Sequence, residues 1–312
     1  MKKGRRLWLI LGIIIVLVFG TCVGITALVP LALSGKIESG EAVAIVRVEG
    51  VILSGSPPVS PFTSTGGAYS DQIVEYLKRA QEDSSVKAIV LRINSPGGSV
   101  VASDEIYQQI LKMDKPIVVS MGELAASGGY YISAPADVIM ANPATLTGSI
   151  GVITQVPNLE ELMQKIGVEI VVIKSGIHKD EGSPFREMTE EEKAIWQAII
   201  DEAYDQFVSI VARGRDLPEE KVREIADGRV YTGQQALELG LVDELGNLPE
   251  AIERAAELGG IKGRPRLVEY HRPLTLFESF FGSWIGPLQP CDLTRLLDLE
   301  GRPFLQYLYL EP

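Results

Sequence analysis

The hydrophobic pattern divides the chain into two unlike parts. Residues 7–35 carry no charged side chain, and residues 7–29 are dominated by Leu, Ile, Val and Gly. A helix needs about 20 apolar residues to cross the hydrocarbon core of a bilayer. The pattern therefore predicts one N-terminal transmembrane helix, which we assign to residues 7–33.

The charges that flank this apolar run predict its orientation. Four basic residues precede it within residues 1–6, and Lys36 follows it. Such an excess of positive charge keeps residues 1–6 in the cytoplasm and sends the rest of the chain outside. The alternative is a cleaved signal peptide, whose apolar core spans only about 7–15 residues and precedes a small-x-small cleavage site. We therefore expect a single-pass protein of the cell membrane with an extracytoplasmic body.

The body alternates short β-branched runs with stretches of helical periodicity. Strands are predicted at residues 42–48, 87–93, 116–120, 137–140 and 169–173, and helices at about 70–83, 100–113, from about 126, and around 159–166. Strands that are apolar on both faces and separated by helices indicate a largely parallel α/β sheet with flanking helices.

The pattern becomes helical in the second half of the body. Thr189 begins a helix as its N-cap, because three glutamates follow it. Helices are predicted at residues 190–213, 218–226, 233–239 and 248–258, as a cap on the sheet or an oligomerisation layer. Residues 274–312 receive no assignment.

Composition and charge narrow the function. The 312 residues are 46% hydrophobic and 22% charged, which is a globular balance rather than a disordered one. The net charge of −12 argues against nucleic-acid binding. Residues 1–36 contribute +5, so the body carries −17. Two cysteines and two histidines supply neither a disulfide framework nor a multi-histidine metal centre, and we expect no metal or cofactor.

The first glycine-bearing corner is the sequence Arg-Ile-Asn-Ser-Pro-Gly-Gly-Ser at residues 92–99, where a strand runs into a turn. Gly97 and Gly98 allow backbone N–H groups to face a ligand. A phosphate loop is disfavoured because no Gly-Lys-Ser/Thr follows. An oxyanion hole and a turn that merely needs glycine both remain open.

The second corner is Met-Gly-Glu-Leu-Ala-Ala-Ser-Gly-Gly-Tyr at residues 121–130. Its small neighbours leave the hydroxyl of Ser127 approachable, as in a nucleophile elbow, although the G-x-S-x-G pattern is missing. Close packing of helix on sheet is the alternative. A serine nucleophile needs a base, and His178 and Lys179 are the candidates. Lysine serves only when burial lowers its pKa from about 10.4 to about 7–8.

Five motifs in order resemble the signal peptide peptidase A family of membrane-anchored serine peptidases. They are NSPGG, MGELAASGGYY, NPATLTGSIGVI, IKSGIHKDEGSPFREMTEEE and GRVYTGQQALELGLVDELG, and the resemblance covers about residues 42–258. It implies a fold like that of Clp protease and crotonase, in the short single-domain form. The peptidase domain would then span residues 37–260, and residues 261–312 would form a C-terminal extension.

The resemblance also implies roles for particular residues. Ser127 matches the nucleophile and Lys179 the general base, which gives a Ser–Lys dyad. Gly98 matches an oxyanion-hole donor, with Gly128 as the second donor. The resemblance adds two supporting residues: Gly97 shapes the same turn, and Ser149 shapes a turn near the site, where its hydroxyl can bond the lysine. Ser95 and Ser99 are expected to be turn or capping groups.

The function implied by the resemblance is the hydrolysis of remnant signal peptides in the membrane. Related enzymes form rings or domes with sites at subunit contacts, so we expect a homo-oligomer in which Lys179 of one chain can act on Ser127 of its neighbour. Two alternatives stay open at this point: a crotonase-like acyl-CoA enzyme, and an inactive scaffold on the same fold.

Overall fold

The structure is a computed structural model that describes residues 40–57 and 66–270 and the backbone of residues 306–308. The predicted transmembrane helix at residues 7–33 lies outside these residues and stays a prediction of the sequence. Among the helices that are described, none is long and apolar enough to span a bilayer.

The secondary structure of the body follows the predicted alternation. The strands are β1 (Ala42–Glu49), β2 (Ile52–Leu53), β3 (Ala68–Tyr69), β4 (Val86–Ser95), β5 (Gly97–Ser99), β6 (Ile117–Ala126), β7 (Val138–Ala141), β8 (Leu146–Gly148), β9 (Val230–Thr232), β10 (Glu244–Leu245), β11 (Arg266–Glu269) and β12 (Gln306–Leu308). The helices are α1 (Ser70–Glu82), α2 (Val100–Ile110), α3 (Gly128–Ser133), α4 (Glu160–Ile166), α5 (Glu190–Gly214), α6 (Glu219–Ile225), α7 (Gly233–Glu238) and α8 (Leu248–Leu258).

The main sheet is built from parallel strands in the order β10-β7-β6-β4-β1-β11, and β8 pairs with the distal part of β6. The central strands are buried on both faces, which is why they read as continuous apolar runs. One face packs under α1, α2, α3 and α5, and the other packs under α8. The predicted α/β class with a mainly parallel sheet is therefore confirmed.

A second sheet of four short strands has the order β12-β5-β2-β3. β2 pairs in parallel with both β3 and β5, whereas β12 pairs with β5 in antiparallel orientation. The two glycines of the first corner thus form a strand and not merely a turn. Strands of two or three residues are too short to produce a periodic signal in the sequence.

The predicted strand at residues 169–173 is wrong. These residues form no ladder with any described strand, and the side chains of Val171 and Ile173 are 75% and 96% exposed. A β-branched run forms a strand only where a sheet edge accepts it. The preceding helix is confirmed as α4, and Thr189 caps α5 through a capping box with Glu192, as predicted.

The sheet also reaches beyond the expected peptidase domain at its C-terminal side. Strand β11 lies past residue 260, and its four residues pair with β1 at the edge of the main sheet. Strand β6 is also longer than predicted, since it runs to Ala126 instead of ending near Ser120. Ser127 therefore follows the strand directly.

Candidate active site

The backbone around Ser127 makes a sharp turn from β6 into α3. Ser127 has φ 54° and ψ −116°, a backbone conformation that residues other than glycine seldom adopt. Its N–H donates to the carbonyl oxygen of Gly148 at 2.8 Å, and its own carbonyl accepts from Tyr131 at 2.8 Å. Such a conformation costs about 1–3 kcal/mol and persists only where surrounding bonds impose it. This is the geometry of a nucleophile elbow, reached without the usual glycine pattern.

The hydroxyl of Ser127 is buried and unpaired. The residue is 1% exposed, and its Oγ has no hydrogen-bond partner within residues 40–57 and 66–270. A buried polar group without a partner costs about 1–3 kcal/mol. Buried hydroxyls are almost always paired, so an exception at a strained turn indicates a group held ready for a ligand or a second catalytic residue.

Strand β8 fixes the end of β6 just before this serine. Ala125 pairs with Thr147 and Ala126 pairs with Gly148 in parallel register. The Thr147 hydroxyl donates to the Ala125 carbonyl at 2.7 Å, and the Thr145 hydroxyl donates to the Gly122 carbonyl at 2.6 Å. Both threonines are buried. Neither threonine is among the residues predicted for the site, although their two-residue spacing beside a glycine motif is a signal in the sequence.

The two glycine corners meet in space. A Cβ placed on Gly128 would lie 3.1 Å from Cα of Gly97 and 3.2 Å from the backbone nitrogen of Gly98. A Cβ on Gly98 would lie 2.0 Å from the carbonyl oxygen of Ile52 on β2. Glycine is therefore required at residue 98 because β2 lies against it. Glycine is also needed at residue 128, because a Cβ there would contact the first corner and would lie 2.6 Å from Ser103 Oγ.

These contacts bring the Gly98 nitrogen next to Gly128, the residue that follows Ser127. Gly128 opens α3 directly after Ser127, and the first N–H groups of a helix have no acceptor within it. The Gly98 nitrogen is the neighbour described above. A buried hydroxyl flanked by backbone donors is the arrangement that attacks a carbonyl and stabilises the resulting oxyanion.

The other serines of the first corner have structural roles, as predicted. Ser95 Oγ accepts a hydrogen bond from the Gly97 N–H at 3.1 Å and holds the turn. Ser99 caps α2, because its Oγ accepts from the Ala102 N–H at 3.3 Å.

The structure does not bring Lys179 and Ser127 of one chain into hydrogen-bond contact. Lys179 is exposed in a turn that follows residues 169–173, and its N–H donates to the Gly176 carbonyl at 3.2 Å. Nothing in the described part of the chain forms an ion pair with it. His178, the other candidate base, is paired with Glu181.

An ion-pair network holds the turn that presents Lys179. Asp180 accepts from Lys174 Nζ at 2.7 Å and from Arg186 Nη2 at 2.9 Å, and Arg186 also pairs with the buried Glu192. Hydrogen bonds from Arg186 and then Lys174 hold the pKa of Asp180 well below its usual range. Arg186 likewise lowers the pKa of Glu192 to about 2. Lys174 is thus an ion-pair partner of the network, and Lys179 is left outside it.

Ser149 connects the elbow to a cavity. It follows Gly148, has φ 49°, is 6% exposed, and its N–H donates to the Arg229 carbonyl at 2.8 Å. It lines a cavity of about 640 Å³ together with Val152, Ile200 and Tyr204. The hydroxyl of Ser149 therefore lies in the mainly apolar wall of this cavity. Ser149 directly follows Gly148, whose carbonyl accepts the hydrogen bond from the Ser127 N–H.

Comparisons with known proteins agree with this geometry. Residues 63–147, which include both glycine corners and Ser127, match the family model of Clp protease. Residues 109–262, which include Ser127 and Lys179, match the model of peptidase family S49.

Three relatives match most of the body. A Synechocystis protein named as a protease is 46% identical over 228 residues, which is 72% of this chain and 77% of the relative. An Enterococcus faecium protein named signal peptide peptidase SppA is 43% identical over 67% of this chain and 61% of its own length. The chloroplastic serine protease SPPA of Arabidopsis thaliana is 37% identical over 75% of this chain and 35% of its own length.

Fold and relatives together define the chain as a serine peptidase with a Clp-protease-like domain. It belongs to peptidase family S49. The resemblance noted from the five motifs is thereby confirmed. The acyl-CoA enzyme is no longer a competing reading.

Proposed function

We propose that the protein is a membrane-anchored endopeptidase that uses a Ser127–Lys179 dyad to degrade remnant signal peptides. One observation carries this proposal most directly: the buried hydroxyl of Ser127 has no partner among the described residues and lies at a strained elbow beside the Gly98 and Gly128 nitrogens.

The chemistry follows from these groups. Ser127 Oγ attacks the peptide carbonyl while the neutral amine of Lys179 takes its proton. The N–H groups of Gly98 and Gly128 donate to the oxyanion of the tetrahedral intermediate. Lys179 then protonates the leaving amine, and it later takes a proton from the water that hydrolyses the acyl-enzyme. Ser149 is proposed to bond the lysine when it is in place.

The position of Lys179 supports a site shared between subunits. The lysine follows an apolar segment, residues 166–177, which includes the exposed Ile166, Val171, Ile173 and Ile177. Contiguous exposed apolar residues mark protein–protein interfaces. We propose that a neighbouring chain covers this segment in a homo-oligomer and that Lys179 of one chain serves Ser127 of the next. Removal from water in such an interface is what a lysine base requires.

The shared site has a direct test. Chains carrying Ser127→Ala are mixed with chains carrying Lys179→Ala under conditions that exchange subunits, and peptide hydrolysis is measured. Activity in the mixture but in neither parent is the expected result. An inactive mixture with demonstrated subunit exchange would contradict the shared site.

The proposed substrate rests on the name of the Enterococcus relative and on the predicted anchor. A site held near the bilayer by residues 7–33 suits an apolar, extended peptide that remains in the membrane. The acidic body, with a net charge of −17 outside residues 1–36, has no electrostatic attraction to anionic lipid. The helix is therefore the proposed source of membrane attachment.

The dyad is tested by hydrolysis of an apolar peptide. Lys179→Ala is expected to abolish turnover, whereas His178→Ala, at the neighbouring position of the same turn, serves as the matched control and retains it. Full activity in Lys179→Ala would refute the assignment of the base.

A further inference from the structure

The turn that carries Lys179 is not held in place by hydrophobic packing. Residues 169–179 are exposed along their whole length. The neighbouring helix α4 offers no firm anchor either, because none of its residues is buried. Within the described part of the chain, polar contacts are therefore left to fix the position of this turn.

Arg186 is at the centre of these polar contacts. Its Nε donates to Asp180 Oδ2 at 3.0 Å and its Nη2 donates to Asp180 Oδ1 at 2.9 Å, which is a two-pronged pair. Nη2 also donates to the backbone carbonyl of Asp180 at 3.1 Å. A guanidinium fork on a carboxylate fixes orientation as well as distance. Arg186 thus holds both the side chain and the backbone of the residue that directly follows Lys179.

The same guanidinium reaches the first turn of α5. Its Nη1 donates to Glu192 Oε2 at 2.8 Å, and its Nη2 pairs with Glu192 Oε1. Glu192 also accepts from the Thr189 N–H at 2.9 Å as part of the capping box. Arg186 therefore bridges the turn of Lys179 and the beginning of a long helix.

The burial of Glu192 is unusual along this helix. The C-terminal half of α5 packs on the core through residues such as Phe207 and Val211, which are fully buried. Within residues 190–202, all of which the structure describes, Glu192 is the one buried residue. Burying a carboxylate is costly, and its pairing with a cation repays that cost only where the geometry is good.

Helix capping alone does not account for this burial. Two other capping boxes in the described part of the chain use Gln235 and Glu250 at the position equivalent to Glu192, and both of these side chains are exposed. A capping box thus forms without burial of its third residue. What distinguishes Glu192 is the bond to Arg186, which points to a role for the bridge beyond the cap.

We propose that Arg186 is a positioning residue for Lys179, and that its bridge between Asp180 and Glu192 holds the turn of the base at a set position on α5. The proposal rests on the proposed function in taking Lys179 as the base. A misplacement of about 1 Å can cost about 10²-fold in rate, so we expect Arg186→Ala to lower kcat by about 10²-fold. KM should stay near the wild-type value, because a positioning residue acts through the turn and not on the peptide.

The first test separates positioning from a merely structural role. Arg186→Ala is compared with Thr189→Ala, which removes the hydroxyl that accepts from the Glu192 N–H but leaves the bridge in place. Peptide hydrolysis and Tm are measured for both full-length chains. Thr189→Ala is expected to lower Tm and keep the wild-type kcat, whereas Arg186→Ala loses kcat. Equal values of kcat in the two variants overturn the proposal.

The second test is chemical rescue. Millimolar guanidinium chloride can fill the space left in Arg186→Ala and pair with both carboxylates, whereas ammonium chloride at the same ionic strength lacks the fork. Guanidinium is expected to raise kcat in this variant and ammonium is not, and equal effects of the two salts count against the bridge. If Arg186→Ala does not fold, Arg186→Lys replaces it in the first test. It keeps the charge without the fork, so a wild-type kcat in Arg186→Lys would likewise overturn the proposal.

The third test measures the order of the turn without hydrolysis. The N–H of Glu181 donates to the His178 carbonyl at 3.3 Å, and the N–H of Ser183 donates to the Asp180 carbonyl at 3.1 Å. Hydrogen exchange at these two amides should be faster in Arg186→Ala than in Thr189→Ala, and equal exchange contradicts the proposal. The mass from light scattering should match the wild type in both variants. A lower mass in Arg186→Ala would assign the loss of kcat to assembly and defeat the positioning role.

Failure of this proposal can be told apart from failure of the proposed function. Full activity in Lys179→Ala defeats the proposed function, whatever the exchange measurements show. An inactive Lys179→Ala together with a wild-type kcat in Arg186→Ala leaves the dyad intact and defeats only the positioning role.

Discussion

Substitution of Gly128 by alanine separates a catalytic effect from a stability effect. The new Cβ would lie 3.1 Å from Gly97 Cα and 3.2 Å from the Gly98 nitrogen, where ordinary contacts are 3.4–4 Å. The first corner must therefore move by a few tenths of an ångström. That movement displaces the Gly98 N–H relative to the Gly128 N–H.

The expected loss is large for catalysis and small for stability. Removal of one oxyanion donor costs about 10²–10³ in kcat, so a displaced donor is expected to lower kcat by about 10²-fold, or about 2.7 kcal/mol. Alanine is favoured over glycine in a helix by up to about 1 kcal/mol, which offsets part of the steric cost. We therefore expect a change in Tm of only a few degrees.

A second substitution separates the contact that lowers stability from the contact that lowers kcat. The alanine Cβ also lies 2.6 Å from Ser103 Oγ, which donates to the Ser99 carbonyl at 2.9 Å. Ser103→Ala removes that clash but leaves the contacts with the first corner. Peptide hydrolysis and thermal unfolding are measured for Gly128→Ala, Ser103→Ala and the double variant. The double variant should recover Tm but not kcat; full recovery of kcat, or an undiminished kcat in Gly128→Ala, would refute the two-donor site.

Three further predictions concern the supports of the site. Thr147→Val leaves the buried Ala125 carbonyl without its 2.7 Å donor and should lower the free energy of unfolding by about 1–3 kcal/mol in urea titration, while Thr147→Ser retains it; equal losses in the two would contradict this. Ile173→Asp changes a side chain that is 96% exposed in the chain, so folding should be unaffected while the mass measured by light scattering falls to that of smaller species; an unchanged oligomer would exclude this segment from the interface. Arg186→Met removes the partner that lowers the pKa values of Asp180 and Glu192. A carboxylate whose pKa is lowered by folding stabilises the fold at pH values above its pKa in the unfolded chain, which is near 4, and this contribution is lost as the pH falls towards its pKa in the folded chain. The Tm difference between wild type and Arg186→Met should therefore be constant above about pH 5 and shrink towards pH 2, and a difference that grows with acid would contradict the ion-pair account.

The main sheet could be predicted from sequence because its strands are buried on both faces. Runs such as residues 42–48 and 87–93 are apolar without alternation, which is the pattern of parallel strands covered on both faces. The same reasoning failed at residues 169–173, because a β-branched run indicates only a preference for extended backbone. It does not show that a sheet edge is available for the run to pair with. That segment is exposed in the single chain.

The candidate site was predictable only in part. Ser127 and the glycines were found because small residues cluster around them in sequence. The need for glycine at residue 98 arises from Ile52, more than forty positions earlier, and no local pattern reports such a contact. Pairing of β12 with β5 joins residues 306–308 to residues 97–99 and is equally non-local. Both contacts are visible only in the three-dimensional structure, because they depend on which strands the fold brings together.

The central claim is that Ser127 is a nucleophile activated by Lys179. The most direct measurement is covalent labelling by a fluorophosphonate, followed by peptide mapping in a mass spectrometer. Wild-type protein should carry the label on Ser127, His178→Ala should be labelled at the wild-type rate, and Lys179→Ala should be labelled slowly or not at all. Label on another residue, or undiminished labelling of Lys179→Ala, would contradict the account.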